Sequence, residues 1–338
     1  MNDNTIRLGL IGCGMITQRS HAPRFAEVPG VEITALCDPD TTRALKVRDE
    51  HAPGAALFAD HRELLASGLV DAVTVATPVV LHCPMALAAL QASCHVLCEK
   101  PMGMSQVETA QMVAAARAAG KVLQINLSRR YDPFYQTVAR LLSEGAVGEI
   151  QHMRAIRVHT SAPDQGWSPG ARWFVTRSQG GGIVGDIGVH VGDMMQWYCG
   201  DVASVSAQTD SRREDIDAVD NATALFRFRS GATGVLELSW TSPANHMSFE
   251  IYGREGILSA GAPGEGVQIR KRDGETVTVA PADLDPPGPN SFRCFADAIA
   301  GVAPTPVPGE TGHAIQLVLD AILASGERGG APVAIARA

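Results

Sequence analysis

Four polar residues at the ends of apolar runs carry the first chemical suggestion: Asp38, Lys100, Asp186 and His190. Lys100 stands in HVLCEKPM, where an apolar run stops. An ammonium group at a strand end can hydrogen-bond a reacting oxygen and stabilise negative charge developing on it. The alternative is a solvated lysine paired with Glu99. In GGGIVGDIGVHVGD, Gly180 to Asp193, the spacing puts Asp186, His190 and Asp193 on one face of a helix. An imidazole flanked by carboxylates is held in one tautomer and becomes a better base, as removal of an alcohol proton near neutral pH requires. A buried histidine satisfied by a neighbouring aspartate, with Asp186 capping the helix, is the structural alternative.

Asp38 belongs to a second pattern, with Gly9, Gly12 and Gly14. Gly12 lets the chain turn tightly after the run IRLGLI, and Gly14 lets the backbone approach a pyrophosphate. The helix that starts there offers free amides and the positive end of its dipole. Thr17 replaces the third glycine of GxGxxG, which predicts looser packing of helix on strand. The Asp38 carboxylate can accept hydrogen bonds from ribose hydroxyls and would repel a 2'-phosphate, so NAD is favoured over NADP. Arg43, just downstream, softens that preference, and a turn or capping role beside Pro39 is the structural alternative.

These residues need a particular scaffold. IRLGLI, VEITALCD, VDAVTVAT, HVLCEK and KVLQINL read as buried strands alternating with helices such as ALKVRDEHA, MALAALQAS and SQVETAQMVAAARAAG. Such alternation predicts an α/β domain with a parallel sheet covered on both faces, of Rossmann type. Beyond about Ser128 strands follow one another directly: IQHMRAIRVHT, VASVSAQT, NATALFRFR, ATGVLELSW, MSFEIYG and VQIRKR. They predict a second, α+β domain with a large, mostly antiparallel open sheet. Helices near Asp132 to Ser143 and Ile183 to Tyr198 interrupt it, Pro281 to Pro289 is a surface connection, and two helices close the chain.

Composition excludes several functions. The 338 residues favour two domains, and 45% hydrophobic with 19% charged residues is the balance of a folded, soluble chain. A formal charge of -8 offers no field for nucleic acid or anionic lipid, and no apolar stretch is long enough for a membrane helix. The opening residues lack the signature of a secretory signal, so a cytoplasmic location is expected. Seven scattered cysteines suit a reducing compartment. His82, Cys83, Cys94, His95 and Cys98 are zinc-ligand types, but there is no CxxC pair and strand alternation in HVLCE parts the side chains; no metal is expected.

GLIGCGMI, ATPVVLH (Ala76 to His82), HVLCEKPM, GGGIVGDIGVH and the closing PGETGHAIQLVLDAILAS, in this order, resemble the glucose-fructose oxidoreductase, inositol dehydrogenase and MocA (Gfo/Idh/MocA) family over nearly the whole chain. The resemblance implies an NAD-binding Rossmann domain over 1–126. A substrate-binding and oligomerisation domain would occupy 127–338, its closing helices packing back toward the first. It makes Lys100, Asp186 and His190 catalytic, with His190 the general acid/base and the other two binding the reacting hydroxyl. Gly12, Cys13, Gly14, Met15, Ile16, Asp38, Thr77, His82, Glu99 and Lys100 would line the cofactor. Lys100, Arg129, Trp173, Asp186 and His190 would line the substrate.

The resemblance also implies a cis peptide before Pro101. Pro78 and Val79 depart from the family's Pro-Asn, which removes one amide contact to the cofactor. The stretch NLSRRYDPF resembles an arginine-bearing family segment that would bring Arg129 or Arg130 to the cleft; a surface pair bonding helix ends is the alternative. Trp167 and Trp173 are placed either against a sugar face or as loop anchors. The function implied is NAD(P)-dependent hydride transfer from a secondary alcohol of a polyol, inositol, sugar or glycoside, in a homodimer or homotetramer. Two rival readings are elimination or transfer from a sugar with a recycled cofactor, and a non-catalytic NAD-binding regulator.

Overall fold

The computed structural model describes residues 5–336. It divides into two units: the residues up to Ser128 with Pro289–His313, and Arg129–Gly288 with the residues from Ala314 on.

The first unit is built on six parallel strands: β1 (Ile6–Ile11), β2 (Val31–Cys37), β3 (Ala56–Phe58), β4 (Ala72–Val75), β5 (His95–Cys98) and β6 (Leu123–Ile125). Their order is β3-β2-β1-β4-β5-β6, with β1 hydrogen-bonded to both β2 and β4. Strand order therefore reverses at β1, and ligands of such sheets bind beyond the carboxyl ends of the strands at that point. The strands are short and apolar on both faces because the helices α1 (Ala22–Ala26), α2 (Thr41–His51), α3 (His61–Ala66), α4 (His82–Gln91) and α5 (Gln106–Ala119) connect them.

Local chemistry sets the helix ends. Asp40 caps α2 by accepting from the Thr42 amide, Ser105 caps α5 through the Glu108 amide, and Gly120 closes α5 at φ 60°. The core of this unit runs through Leu8, Leu10, Phe25, Leu36 and Val47 and takes in Phe292 and Phe295 from Pro289–His313. Phe25 meets Phe292 edge-on at 4.9 Å. The short strand β3 and helix α3 have no counterpart in the sequence reading, because three to six residues are too few to show a period.

In the second unit α6 (Pro133–Ser143) is capped by Asp132, whose carboxylate accepts from the Phe134 amide. A nine-stranded sheet follows: β7 (Ile150–Val158), β8 (Val202–Asp210), β9 (Asn221–Phe228), β10 (Thr233–Ser239), β11 (His246–Gly253), β12 (Gly256–Ala260), β13 (Val267–Lys271), β14 (Thr276–Val279) and β15 (Val333–Ala334). Its order is β14-β13-β12-β11-β7-β10-β9-β8-β15, antiparallel except for the parallel pair β7 and β10. Alternation is plain in β9, whose burial switches residue by residue, so one face is packed and the other open. Two of the strands missing from the sequence reading, β12 and β14, are hairpin partners of only five and four residues.

The helix α7 (Val189–Cys199) continues from a single π turn, Val184–Gly188. The chain closes with α8 (Ser291–Ile299) in the first unit and α9 (Gly309–Glu327), within which the division falls. No described helix is long and apolar enough to cross a membrane.

Candidate active site

The turn after β1 is built for close approach. Gly12 has φ +91°, and a Cβ there would lie 2.5 Å from the Ala76 carbonyl oxygen at the end of β4, so only glycine fits. A Cβ on Gly14 would meet nothing within 4 Å, which leaves the backbone at the start of the following helix uncovered on that side. Thr17, where a third glycine was expected to matter, is fully buried and donates its hydroxyl to the Gly12 carbonyl at 2.5 Å. The hydroxyl thus closes the loop instead of loosening it. Met15 and Ile16 are half-buried on the same turn.

Asp38 is buried at the end of β2. One carboxylate oxygen accepts from the Cys13 amide at 2.8 Å and the other from the Asp40 amide at 2.8 Å. The helix cap is Asp40, so Asp38 ties the glycine turn to β2, and each oxygen keeps a lone pair for a further donor. Cys13 takes part through its amide; burial first, then the Asp38 charge, push its thiol up to about 12. Arg43 is engaged by Asp40 at 3.2 Å. An uncovered amide turn at a helix start, a glycine that a Cβ would block, and a carboxylate at the second strand's end suit a dinucleotide's pyrophosphate and ribose.

Thr77 follows β4, and its carbonyl oxygen lies 2.8 Å from Nε2 of the buried His82; Nδ1 of the same ring lies 2.8 Å from the Pro101 carbonyl oxygen. His82 therefore staples the loop after β4 to the loop after β5. Burial lowers its pKa against the pull of those two oxygens, and a neutral ring serves only one of them as donor. The Lys100–Pro101 peptide is cis.

Glu99 is buried beside Lys100 and belongs to a chain of hydrogen bonds that sequence reading missed. Its Oε1 lies 2.8 Å from His21 Nε2 and accepts from Asn126 Nδ2 at 2.6 Å; Oε2 accepts from the Lys100 amide at 3.2 Å. Asn126 Oδ1 in turn accepts from Ser291 Oγ at 2.6 Å. Burial alone would raise the Glu99 pKa, but the hydrogen bonds from His21 and Asn126 and the charges of His21 and Lys100 outweigh it and hold it down to about 2. No periodicity links positions 21, 99, 126 and 291. The only signal available was that a glutamate inside an apolar run needs a partner.

Asp186 and His190 lie in the second unit. Gly181 lets the Asp186 turn lie against Trp173 and Phe174, since a Cβ there would sit 2.5 Å from the Trp173 carbonyl oxygen. The Gly182 amide donates to the Phe174 carbonyl at 2.8 Å and the Asp186 amide to the Gly182 carbonyl at 3.0 Å. Asp186 is buried within the π turn, and His190 is half-buried in the first turn of α7. The π turn adds a residue to the repeat, so the spacing rule for a regular helix does not carry through this segment; such turns recur at functional sites.

Asp193 is committed to Arg130, which reaches both carboxylate oxygens at 2.6 to 3.0 Å and stacks over Trp197 at 4.5 Å. Arg129 lies over the Tyr135 ring at 5.3 Å. Trp173 stacks on Phe174 at 3.6 Å, and Trp167, nearly half exposed, meets Phe174 edge-on at 5.2 Å. The described residues include no group of three or more His, Cys, Asp or Glu suited to a metal ion.

Known proteins resemble this chain in sequence and fold. A family model described as an oxidoreductase family with NAD-binding Rossmann fold matches residues 6–127, and one for the GFO/IDH/MocA C-terminal domain matches 135–259. The D-apiose dehydrogenase of Paraburkholderia graminis is 31% identical over 286 residues, 81% of this chain and 72% of that protein. The 1,5-anhydro-D-fructose reductase of Ensifer adhaerens is 30% identical over 319 residues, 90% of this chain and 92% of that protein. Among solved structures, the WlbA dehydrogenase from Bordetella pertussis, in complex with NADH and UDP-GlcNAcA, aligns with a TM-score of 0.86 at 26% identity, covering 99% of this chain and 100% of that one. With both of its domains matched in order, and with the glycine turn, Asp38 and the parallel sheet that the nucleotide-binding half requires, the chain belongs to the GFO/IDH/MocA family of NAD-binding oxidoreductases.

Proposed function

We propose that the protein is an NAD-dependent dehydrogenase acting on a secondary alcohol of a sugar, glycoside, inositol or related polyol. The observation that carries this reading is the Lys100 position. It directly follows a buried glutamate at the carboxyl end of β5, on the edge where open parallel sheets bind their ligands, in a chain whose relatives include D-glucoside 3-dehydrogenase and scyllo-inositol 2-dehydrogenase. When bound, NAD supplies the acceptor for the hydride leaving the carbinol carbon.

The chain's own residues handle the oxygen and its proton. His190 takes the hydroxyl proton as the C–H bond breaks, and Asp186, four residues earlier, favours the imidazolium that results. The Lys100 ammonium donates to the same oxygen and stabilises the charge on it while it becomes a carbonyl. Glu99, held by His21 and Asn126, fixes the Lys100 backbone, and His82 fixes the loop that follows. Gly12, Cys13, Gly14, Met15, Ile16 and Asp38 hold the dinucleotide, Thr77 borders it, and Arg129 and Trp173 face substrate.

A homodimer or homotetramer formed through the open face of the second sheet accords with Leu225, more than half exposed on β9 opposite Val235. A cytoplasmic location accords with seven unbridged cysteines.

The test is Lys100→Ala together with a panel of cyclic polyols, aldoses and glycosides assayed with NAD and NADP. The variant is expected to bind NADH as the wild type does, by fluorescence titration, while kcat falls by roughly a hundred- to ten-thousandfold. Full turnover in the variant would overturn the assignment.

A further inference from the structure

In the second unit, arginines outnumber the carboxylates that serve them near Asp186 and His190. Arg130 is neutralised by Asp193, but among the described residues no carboxylate forms an ion pair with Arg129 or Arg157. Arg157 lies on β7 and alternates with the buried Met153 and Ala155, so it points to the packed face of the sheet. Its Nε is buried with no acceptor in hydrogen-bond reach, and the same holds for Nε2 of His159, two residues on along that face.

The neighbours place these groups. On one side Arg157 pairs with Met247 of β11, whose sulfur lies 3.9 Å from the Tyr135 hydroxyl, and the Tyr135 ring carries Arg129. On the other side it pairs with Leu238 of β10, which would lie 3.2 Å from a Cβ on Gly188, midway between Asp186 and His190. Burial and the charge of Arg157 both lower the Arg129 pKa, so the two cations feel each other. Half-buried guanidinium groups held without a counter-charge are costly, and a guanidinium matches an oxyanion in two-point geometry.

We propose that Arg129 and Arg157 form an oxyanion-recognition subsite and that the substrate is an acidic sugar, its carboxylate held by these two guanidinium groups while a ring hydroxyl is presented to His190. The proposal rests on the dehydrogenase reading and narrows its substrate class. A sugar phosphate shares the oxyanion chemistry and is separated from it in the test. A carboxylate is favoured because two singly charged groups that already lie against an aromatic ring and a half-buried methionine leave room for one planar anion better than for a solvated dianion.

The test is calorimetric titration of the NADH-loaded protein with D-glucuronate, D-galacturonate, D-gluconate and D-glucose 6-phosphate, against D-glucose and D-galactose. At least one sugar acid is expected to bind about tenfold or more tightly than its neutral parent. Arg157→Gln and Arg129→Gln are each expected to remove most of that preference, by about tenfold, with Arg157→Lys retaining part of it. Equal binding of acids and neutral parents, a preference that survives both substitutions, or no binding by any acid overturns the proposal. A gain confined to glucose 6-phosphate overturns the carboxylate in favour of a phosphate. NAD reduction is followed in parallel. An acid bound through both arginines but never oxidised refutes the dehydrogenase reading alone, and neutral sugars oxidised with the same kcat/KM as the acids refute this proposal alone.

Discussion

Replacing Glu99 by glutamine keeps the shape of the side chain and removes the charge that His21, Asn126 and the Lys100 amide share. The folded-state pKa of Glu99 is about 2 against an ordinary value of 4.5. At about 1.4 kcal/mol per pH unit, the carboxylate form contributes about 3 kcal/mol at neutral pH. Because the folded value is the lower one, that contribution is complete above pH 4.5 and is lost as the pH falls from there toward 2.

Glu99→Gln should therefore unfold at a temperature roughly 6–12 °C lower at pH 7, at about 2–4 °C per kcal/mol for a unit of this size. In urea the gap between wild type and variant should shrink by about 2 kcal/mol on going from pH 7 to pH 3. Turnover should drop as well, since the amide of Lys100 loses its acceptor. Equal stability at pH 7, or a gap that is the same at pH 7 and pH 3, would refute the claim that an ionised glutamate holds the Lys100 amide.

Asp193→Asn leaves the Arg130 guanidinium facing a neutral amide at a position where the carboxylate is 2% exposed. The expected cost is about 3–5 kcal/mol in urea denaturation, whereas the double variant Arg130→Met with Asp193→Leu should lose clearly less than either single change. Asp38→Ser should raise the KM for NAD and bring the NADP to NAD ratio of kcat/KM up by about tenfold or more, read from initial rates with each cofactor. An unchanged ratio would mean that Asp38 serves only the Cys13 and Asp40 amides.

Much of this was legible from short-range patterns. The buried runs around Leu8, Val73 and Val96 announced a parallel sheet, Gly12 a turn no other residue can make, and Asp132, Ser105 and Gly120 the ends of helices. Lys100 and His190 stood out because a charged or basic group beside an apolar run is rare. Periods of two and 3.6 residues and capping chemistry act over a few bonds, so a linear reading contains them.

What the fold alone decided is which distant residues share an environment. Thr17 took over the glycine's place through a hydroxyl bond, a π turn displaced Asp186 from the regular helical phase, and Asp193 went to Arg130. Glu99 found His21 and Asn126, 78 and 27 positions away. Arg157, one of many alternating residues on a strand, gained its interest only once neighbouring strands set its face and left its Nε without an acceptor. Pairings of this kind depend on strand order and register, and the amino-acid order along the chain encodes those only through the packing of the whole.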